Sequence, residues 1–243
     1  MALANVLVGN AIDQPALEFA GDRLSLVADS DCLVSVVGAE VTDPRFPGRV
    51  SLASGERLDL TLTGLGLRIV VATTGGSRTG GIEVAVGDTI DAAPGQPHAS
   101  FRLAASLDWV GQTEIRFVPD IETSDVVELT VSGQVNRQGL RLHGAINGWP
   151  GLEFSEPSVI GMIQVTPDGT VLIHGPDGPT IGGYGRLGAV ISADIPALSQ
   201  LRPGNAIQLT PVSLEHARRV FAEAQEKLAH RLTQLRLATG LMK

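Results

Sequence analysis

The chain has 243 residues, 43% of them apolar and 18% charged, with 29 glycines, 14 prolines and a net charge of -8. That balance gives one or two soluble globular domains with a large core and excludes disorder, coiled coil and fibre. Eighteen basic against twenty-six acidic side chains repel nucleic acid and anionic membranes.

Cys32 is the single cysteine, so an internal disulfide and a cysteine zinc cluster are both excluded, and a reducing cytoplasm fits. No run approaches the roughly 18 uninterrupted apolar residues of a spanning helix. The start, Met1-Ala2-Leu3-Ala4-Asn5, lacks a basic region followed by an apolar stretch. A cytoplasmic protein that is neither exported nor membrane-bound is expected.

From Ala16 the chain runs through short apolar or alternating stretches separated by turn residues. Ala16 to Phe19 and Leu24 to Val27 predict strands. Cys32 to Val37 is almost continuously apolar, which predicts a strand buried on both faces. Pro44, Pro47 and Gly48 mark the loop after it. Leu58 to Leu62 alternates, and Leu67 to Ala72 is a second buried run. Residues 77–81 are polar and glycine-rich, and the breaker cluster Ala92 to Pro97 places a subdomain seam near residue 95.

Beyond it, Glu114 to Val118, Val126 to Val131, Gly139 to Gly144, Met162 to Val165, Val171 to His174 and Ala189 to Ile191 predict further strands, roughly ten to fourteen in all. No alternation of strand and helix appears, so antiparallel sheets closed into barrels are expected. One long helix follows. Ser213 can cap it, Leu214, Ala217, Phe221, Ala224, Leu228, Leu232 and Leu235 share a face, and Gly240 ends it. That face packs on the protein's own sheet or receives a partner.

Nucleophile elbow, Walker loop and helical metal-binding motifs are missing, and the five histidines are scattered, so no metal site is expected. Gly75-Gly76-Ser77-Arg78-Thr79-Gly80-Gly81 is either a plain loop or an anion site with Arg78 beside its amides. Arg137, just before the strand at Leu140, either holds a carboxylate or phosphate through two parallel hydrogen bonds or pairs with a neighbouring acid. Gly182 and Gly183 either shape a turn with positive φ or admit a ligand.

The constellation Gly161-Met162-Ile163-Gln164-Val165, Pro167-Asp168-Gly169, Asp177 to Tyr184 and Val190 to Asp194 is the sharpest signal. With Leu198 to Gly204 and the helix start Pro211 to Glu215, it resembles the KipA-type family, also called allophanate hydrolase subunit 2. The likeness extends upstream through Ala4 to Asn10, Ala16 to Glu18, Gly75 to Thr79 and Arg137 to Leu142. It implies a mainly β, cyclophilin-like antiparallel β-barrel architecture in two subdomains, residues 1–95 and 96–212, with the C-terminal helix at 213–240.

Members serve as the C subunit of 5-oxoprolinase, as the antagonist of a histidine-kinase inhibitor, or as half of the carboxyltransferase domain of urea carboxylase. The resemblance implies a KipI-like partner and a hetero-oligomer acting on a small amide or lactam. ATP is used through the assembled complex, and a biotin carrier enters only if the chemistry is carboxyl transfer. Arg137 would hold a carboxylate or phosphate, Gln164 and Tyr184 would donate to a carbonyl or oxyanion, and Asp177 or Thr180 would orient the reacting group. Gly182 and Gly183 complete the expected pocket.

The chain departs from the family pattern at polar positions. It starts after the amino-terminal Asp-x-Gly-Arg-x-Gly segment of full-length members. Val135 stands for a serine, Pro179 for a glutamine, Ile181 for a threonine and Gly185 for a proline. A catalytic subunit of 5-oxoproline hydrolysis, a noncatalytic regulator of a KipI-like protein, and a carboxyltransferase component are the three functions left.

Overall fold

The computed structural model describes residues 1–77, 83–90, 92–93, 100–103, 107–146 and 149–240. The chain divides into two compact units, Met1–Val110 with Glu226–Lys243, and Gly111–Gln225.

The first unit opens with a short helix, α1 (Ala2–Leu7), followed by β1 (Leu17–Ala20), β2 (Arg23–Val27), β3 (Cys32–Gly38), β4 (Gly48–Leu52), β5 (Arg57–Thr61), β6 (Arg68–Thr73) and β7 (Phe101–Arg102). Five strands form an open sheet in the order β1-β6-β3-β4-β7, and β2 pairs separately with β5. As its apolar run predicts, β3 is buried along nearly its whole length, with one face against α1 and the other against the β2–β5 layer. Strand β4 falls on residues that sequence reasoning assigned in part to a loop. Its Arg49 interrupts the apolar pattern, yet it is buried and donates to the carbonyls of Leu7 and Thr239, at 3.0 and 3.3 Å. Two orphan helix-end acceptors thereby find a charged donor.

The second unit contains β8 (Glu114–Pro119), β9 (Val127–Asn136), β10 (Gly139–Ala145), β11 (Glu156–Pro157), β12 (Met162–Val165), β13 (Thr170–His174), β14 (Ile181–Gly182), β15 (Gly185–Val190), α2 (Ile195–Leu198) and β16 (Ala206–Pro211). Seven of these close a barrel in the order β10-β13-β12-β15-β8-β16-β9. Six of its pairings are antiparallel and one, β16 with β8, is parallel. Ile115, Phe117, Leu142, Ile163, Ile173, Ile207 and Leu209 are fully buried on its strands. At about 25 cal/mol per Å² of apolar surface removed from water, residues of this size stabilise the fold by about 1.5–3 kcal/mol each.

The chain is therefore mainly β, with a closed barrel and one long C-terminal helix, as the sequence predicts. The expected closure of both sheets holds in the second unit only, because the first keeps its main sheet open.

The long helix is α3 (Leu214–Thr239). Ser213 Oγ accepts from the His216 amide at 3.1 Å, the predicted cap, and Gly240 ends the helix with φ of +63°. Its apolar stripe is used unevenly. Leu228, Leu232 and Leu235 pack with α1 in the first unit, whereas Leu214 and Phe221 stay exposed. Among the described residues no helix is long and apolar enough to cross a membrane.

Candidate functional site

Apart from Arg78, the predicted site residues lie on or next to one loop of the barrel unit, residues 175–184, and the reason is local. The β9–β10 turn is fixed by Asn136 Oδ1, which accepts from the amides of Gln138 and Gly139 at 2.8 and 3.3 Å. The turn's two exposed carbonyls then receive the chain leaving β13. Gly175 N donates to Gln138 O at 2.8 Å and Asp177 N to Arg137 O at 2.9 Å. A Cβ on Gly175 would stand 2.3 Å from the Arg137 carbonyl, so only glycine lets the loop lie this close.

That lacing places Asp177 beside Arg137. The guanidinium Nε lies 2.6 Å from Oδ2 and Nη2 lies 3.2 Å from Oδ1, a two-pronged pair about half exposed on both sides. Arg137 holds the Asp177 carboxyl below the usual carboxylate range. Of the two readings open for Arg137, pairing with a neighbouring acid is the one seen.

A second lacing comes from the β11–β14 pair, Glu156 with Gly182 and Pro157 with Ile181. It continues as Ser158 N donates to Thr180 O, and Gly161 N donates to His174 O, both at 2.8 Å. Ser158 and His174, neither foreseen as a site residue, are thereby joined by a short hydrogen bond between Oγ and Nδ1. The other ring nitrogen, Nε2, lies 3.0 Å from Gln164 Oε1. Gln164 and His174 sit on adjacent strands, diagonal to each other about the Gln164–Leu172 register pair. Both are buried, and burial pushes the imidazole below the ordinary histidine range, so it is neutral at pH 7.

A cavity of about 450 Å³ opens in front of this pair, lined by Ser158, Val159, Ile160, His174 and, from the loop after β13, chiefly Pro176, Pro179 and Thr180. Among the described residues no lysine, arginine, aspartate or glutamate lines it. Gln164 stands behind His174, and Tyr184 is half exposed beyond β14.

Gly182 and Gly183 do not have positive φ. Gly182 is small for a different reason, since a Cβ there would stand 2.6 Å from Gln164 Nε2. Gly185 likewise admits the Pro150 carbonyl, which would lie 2.1 Å from a Cβ, so the 149–150 segment occupies the space of the missing side chain.

In the first unit, the amides of Gly75, Gly76 and Ser77 donate to Asn10 Oδ1, Thr73 O and Pro15 O. They have no donor left over for an anion, and Arg78 lies outside the described residues. Among the described residues no cluster of three or more His, Cys, Asp or Glu side chains is placed to hold a metal.

The barrel unit thus carries a cavity without charged lining residues beside an exposed arginine–aspartate pair. The sequence model of the carboxyltransferase domain, subdomain A and B, matches residues 1–86 and 109–211. The chain belongs to that carboxyltransferase-domain family.

Among relatives, the C subunit of 5-oxoprolinase from Escherichia coli K12 is 27% identical over 271 aligned residues, which take in 96% of this chain and 87% of that protein. The crystal structure of TTHA0988 is 26% identical with a TM-score of 0.74, covering 87% of this chain and 48% of that one, so this chain spans about half of that molecule. The crystal structure of Kluyveromyces lactis urea carboxylase shares the fold at a TM-score of 0.75 and 19% identity, over 100% of this chain and 26% of that one.

Proposed function

We propose that the chain is one subunit of a heteromeric, ATP-dependent 5-oxoprolinase that opens 5-oxoproline to glutamate together with a KipI-like partner. The observation that carries this reading is similarity along 96% of the chain to a protein named as the C subunit of 5-oxoprolinase. The lactam substrate bears a carboxylate, and Arg137 presents the planar fork that binds one. Its present partner, Asp177, is half exposed, so substrate exchange for Asp177 exposes no buried charge.

Thr180 and Tyr184 bring hydroxyl donors to the same loop, and Gln164 acts from beneath it. The amides of residues 75–77 are engaged within the chain and do not form a phosphate cradle. In this reading the nucleotide is bound by the assembled complex.

The test is the purified complex of this chain with its KipI-like partner and a LamB/YcsF-type lactam-opening subunit, supplied with ATP and 5-oxoproline. Glutamate and phosphate release are expected together, and Arg137→Ala is expected to abolish them without moving the melting temperature. A correctly assembled complex that forms no glutamate refutes the reading.

A noncatalytic regulatory role is favoured by the Arg137–Asp177 pair itself, and by Pro179, Ile181 and Gly185 where the family has glutamine, threonine and proline. An assembled complex whose turnover is the same with Arg137→Ala as with the native chain would select it. Carboxyl transfer to a urea-like amide stands third and requires a biotin carrier on another polypeptide.

A further inference from the structure

We propose that Ser158, His174 and Gln164 form an acyl-accepting site of their own, with Ser158 Oγ as nucleophile, His174 Nδ1 as its base and Gln164 orienting the imidazole, for small uncharged acyl esters. The three side chains stand in the order that nucleophilic catalysis requires. Ser158 Oγ is hydrogen-bonded to Nδ1, and Nε2 lies 3.0 Å from Gln164 Oε1. An amide oxygen only accepts, so the ring proton sits on Nε2 and the Nδ1 lone pair faces the serine hydroxyl. A neutral amide as third member has its counterpart in cysteine–histidine–asparagine sites.

The arrangement is held from several sides. His174 is 5% exposed and Gln164 2%, and Gly182 closes over the Gln164 amide. Ser158 is fixed through its own amide to Thr180 O. The cavity that Ser158 and His174 share, about 450 Å³, is in the range that holds a small ligand. Val159, Ile160, Pro176 and Pro179 make its walls apolar, which suits a compact uncharged acyl group and disfavours the 5-oxoproline anion. The Thr180 hydroxyl, not taken up by any described residue, is the donor on that wall for the oxygen of the attacked carbonyl.

In the first step Ser158 Oγ bonds to the acyl carbon while its proton passes to His174 Nδ1. The tetrahedral adduct then expels the alcohol, which takes that proton, and leaves acyl-Ser158. Water repeats the sequence, giving the free acid and the original serine, so that one ester and one water become one acid and one alcohol. Burial keeps the imidazole neutral and able to accept the proton, but with no carboxylate behind it the imidazolium is poorly stabilised. Acylation is therefore slow, and the covalent adduct is the quantity to measure.

The experiment treats the full chain with p-nitrophenyl acetate, following p-nitrophenolate release and mapping the acetylated peptide. A release stoichiometric with protein and an acetyl group on Ser158 are expected, both lost in Ser158→Ala. His174→Gln is expected to slow acetylation about 10²- to 10⁴-fold. The native rate should rise with pH to a plateau, with a midpoint below the ordinary histidine value of about 6.5. Acetyl found on any other residue, no release, or a Ser158→Ala chain that reacts like the native one overturns the proposal. The peptide map of the native chain decides the matter even if a variant fails to fold.

Discussion

Gly182→Ala probes the stack of β14 on Gln164. A methyl group at 182 would stand 2.6 Å from Gln164 Nε2, 3.0 Å from Oε1 and 3.2 Å from Cδ. Ordinary contacts begin near about 3.5 Å, so the amide must retreat by about 0.9 Å. Gln164 is buried and tied to His174 at 3.0 Å, so a retreat of that size breaks the hydrogen bond. Overpacking costs about 1–3 kcal/mol and the lost bond about 1 kcal/mol more. At about 2–4 °C per kcal/mol for a chain of this length, the melting temperature falls by about 4–16 °C. Urea and thermal denaturation of Gly182→Ala, Gln164→Ala and the double variant measure the effect. Because removing the Gln164 side chain removes the clash, the double variant should lose at least about 1 kcal/mol less than the sum of the singles. Strict additivity, or a Gly182→Ala chain within about 0.5 kcal/mol of native, would refute the contact.

Two further outcomes follow from buried ionisable groups. The Asp194 carboxylate is 1% exposed and accepts from the Arg116 amide, Nε and Nη2 at 2.8, 2.9 and 2.5 Å. Arg116→Met leaves it buried with the amide alone, which should cost about 3–5 kcal/mol in urea denaturation, most of it recovered in the Arg116→Met/Asp194→Leu double variant. His174 has its affinity for a proton lowered by burial, so the unfolded chain binds that proton more readily than the folded one. Its contribution to stability is fully present above the unfolded value of about 6.5 and is lost as pH falls through the folded value. A His174→Gln chain should show a shallower decline in melting temperature over that window, and an identical slope would refute the assignment.

Apolar runs carried most of the fold into view. β3, β5, β6, β8, β12 and β13 coincide with predicted strands because each is long enough for period or continuity to show. β4 and β16 were hidden because Arg49 and Ser51 in the first, and Gln208 and Thr210 in the second, leave no apolar run. The N-terminal segment, for which the sequence predicts no secondary structure, forms α1, whose six residues are too few for a helical period to register.

In the sequence, Arg137, Asp177 and Gln164 were marked out as candidates by the motifs that carry the family resemblance. Ser158 and His174 were not, because 16 residues separate them and no spacing rule joins them. The signal that would have found them is register. The Pro167-Asp168-Gly169 turn pairs Val165 with Val171, which puts Gln164 and His174 on one face as diagonal neighbours. Two polar side chains facing each other across an apolar hairpin demand a network, and Ser158 completes it.

The parallel contact between β8 and β16 bears on how the molecule is made. β16 is flanked by β8 and β9, so until Pro211 has left the ribosome both of those strands carry a bare edge able to recruit a neighbouring chain. A nascent or prematurely terminated product that ends before Ala206 is an open trough rather than a ring, and should be the species that chaperones hold and that aggregates when they are depleted.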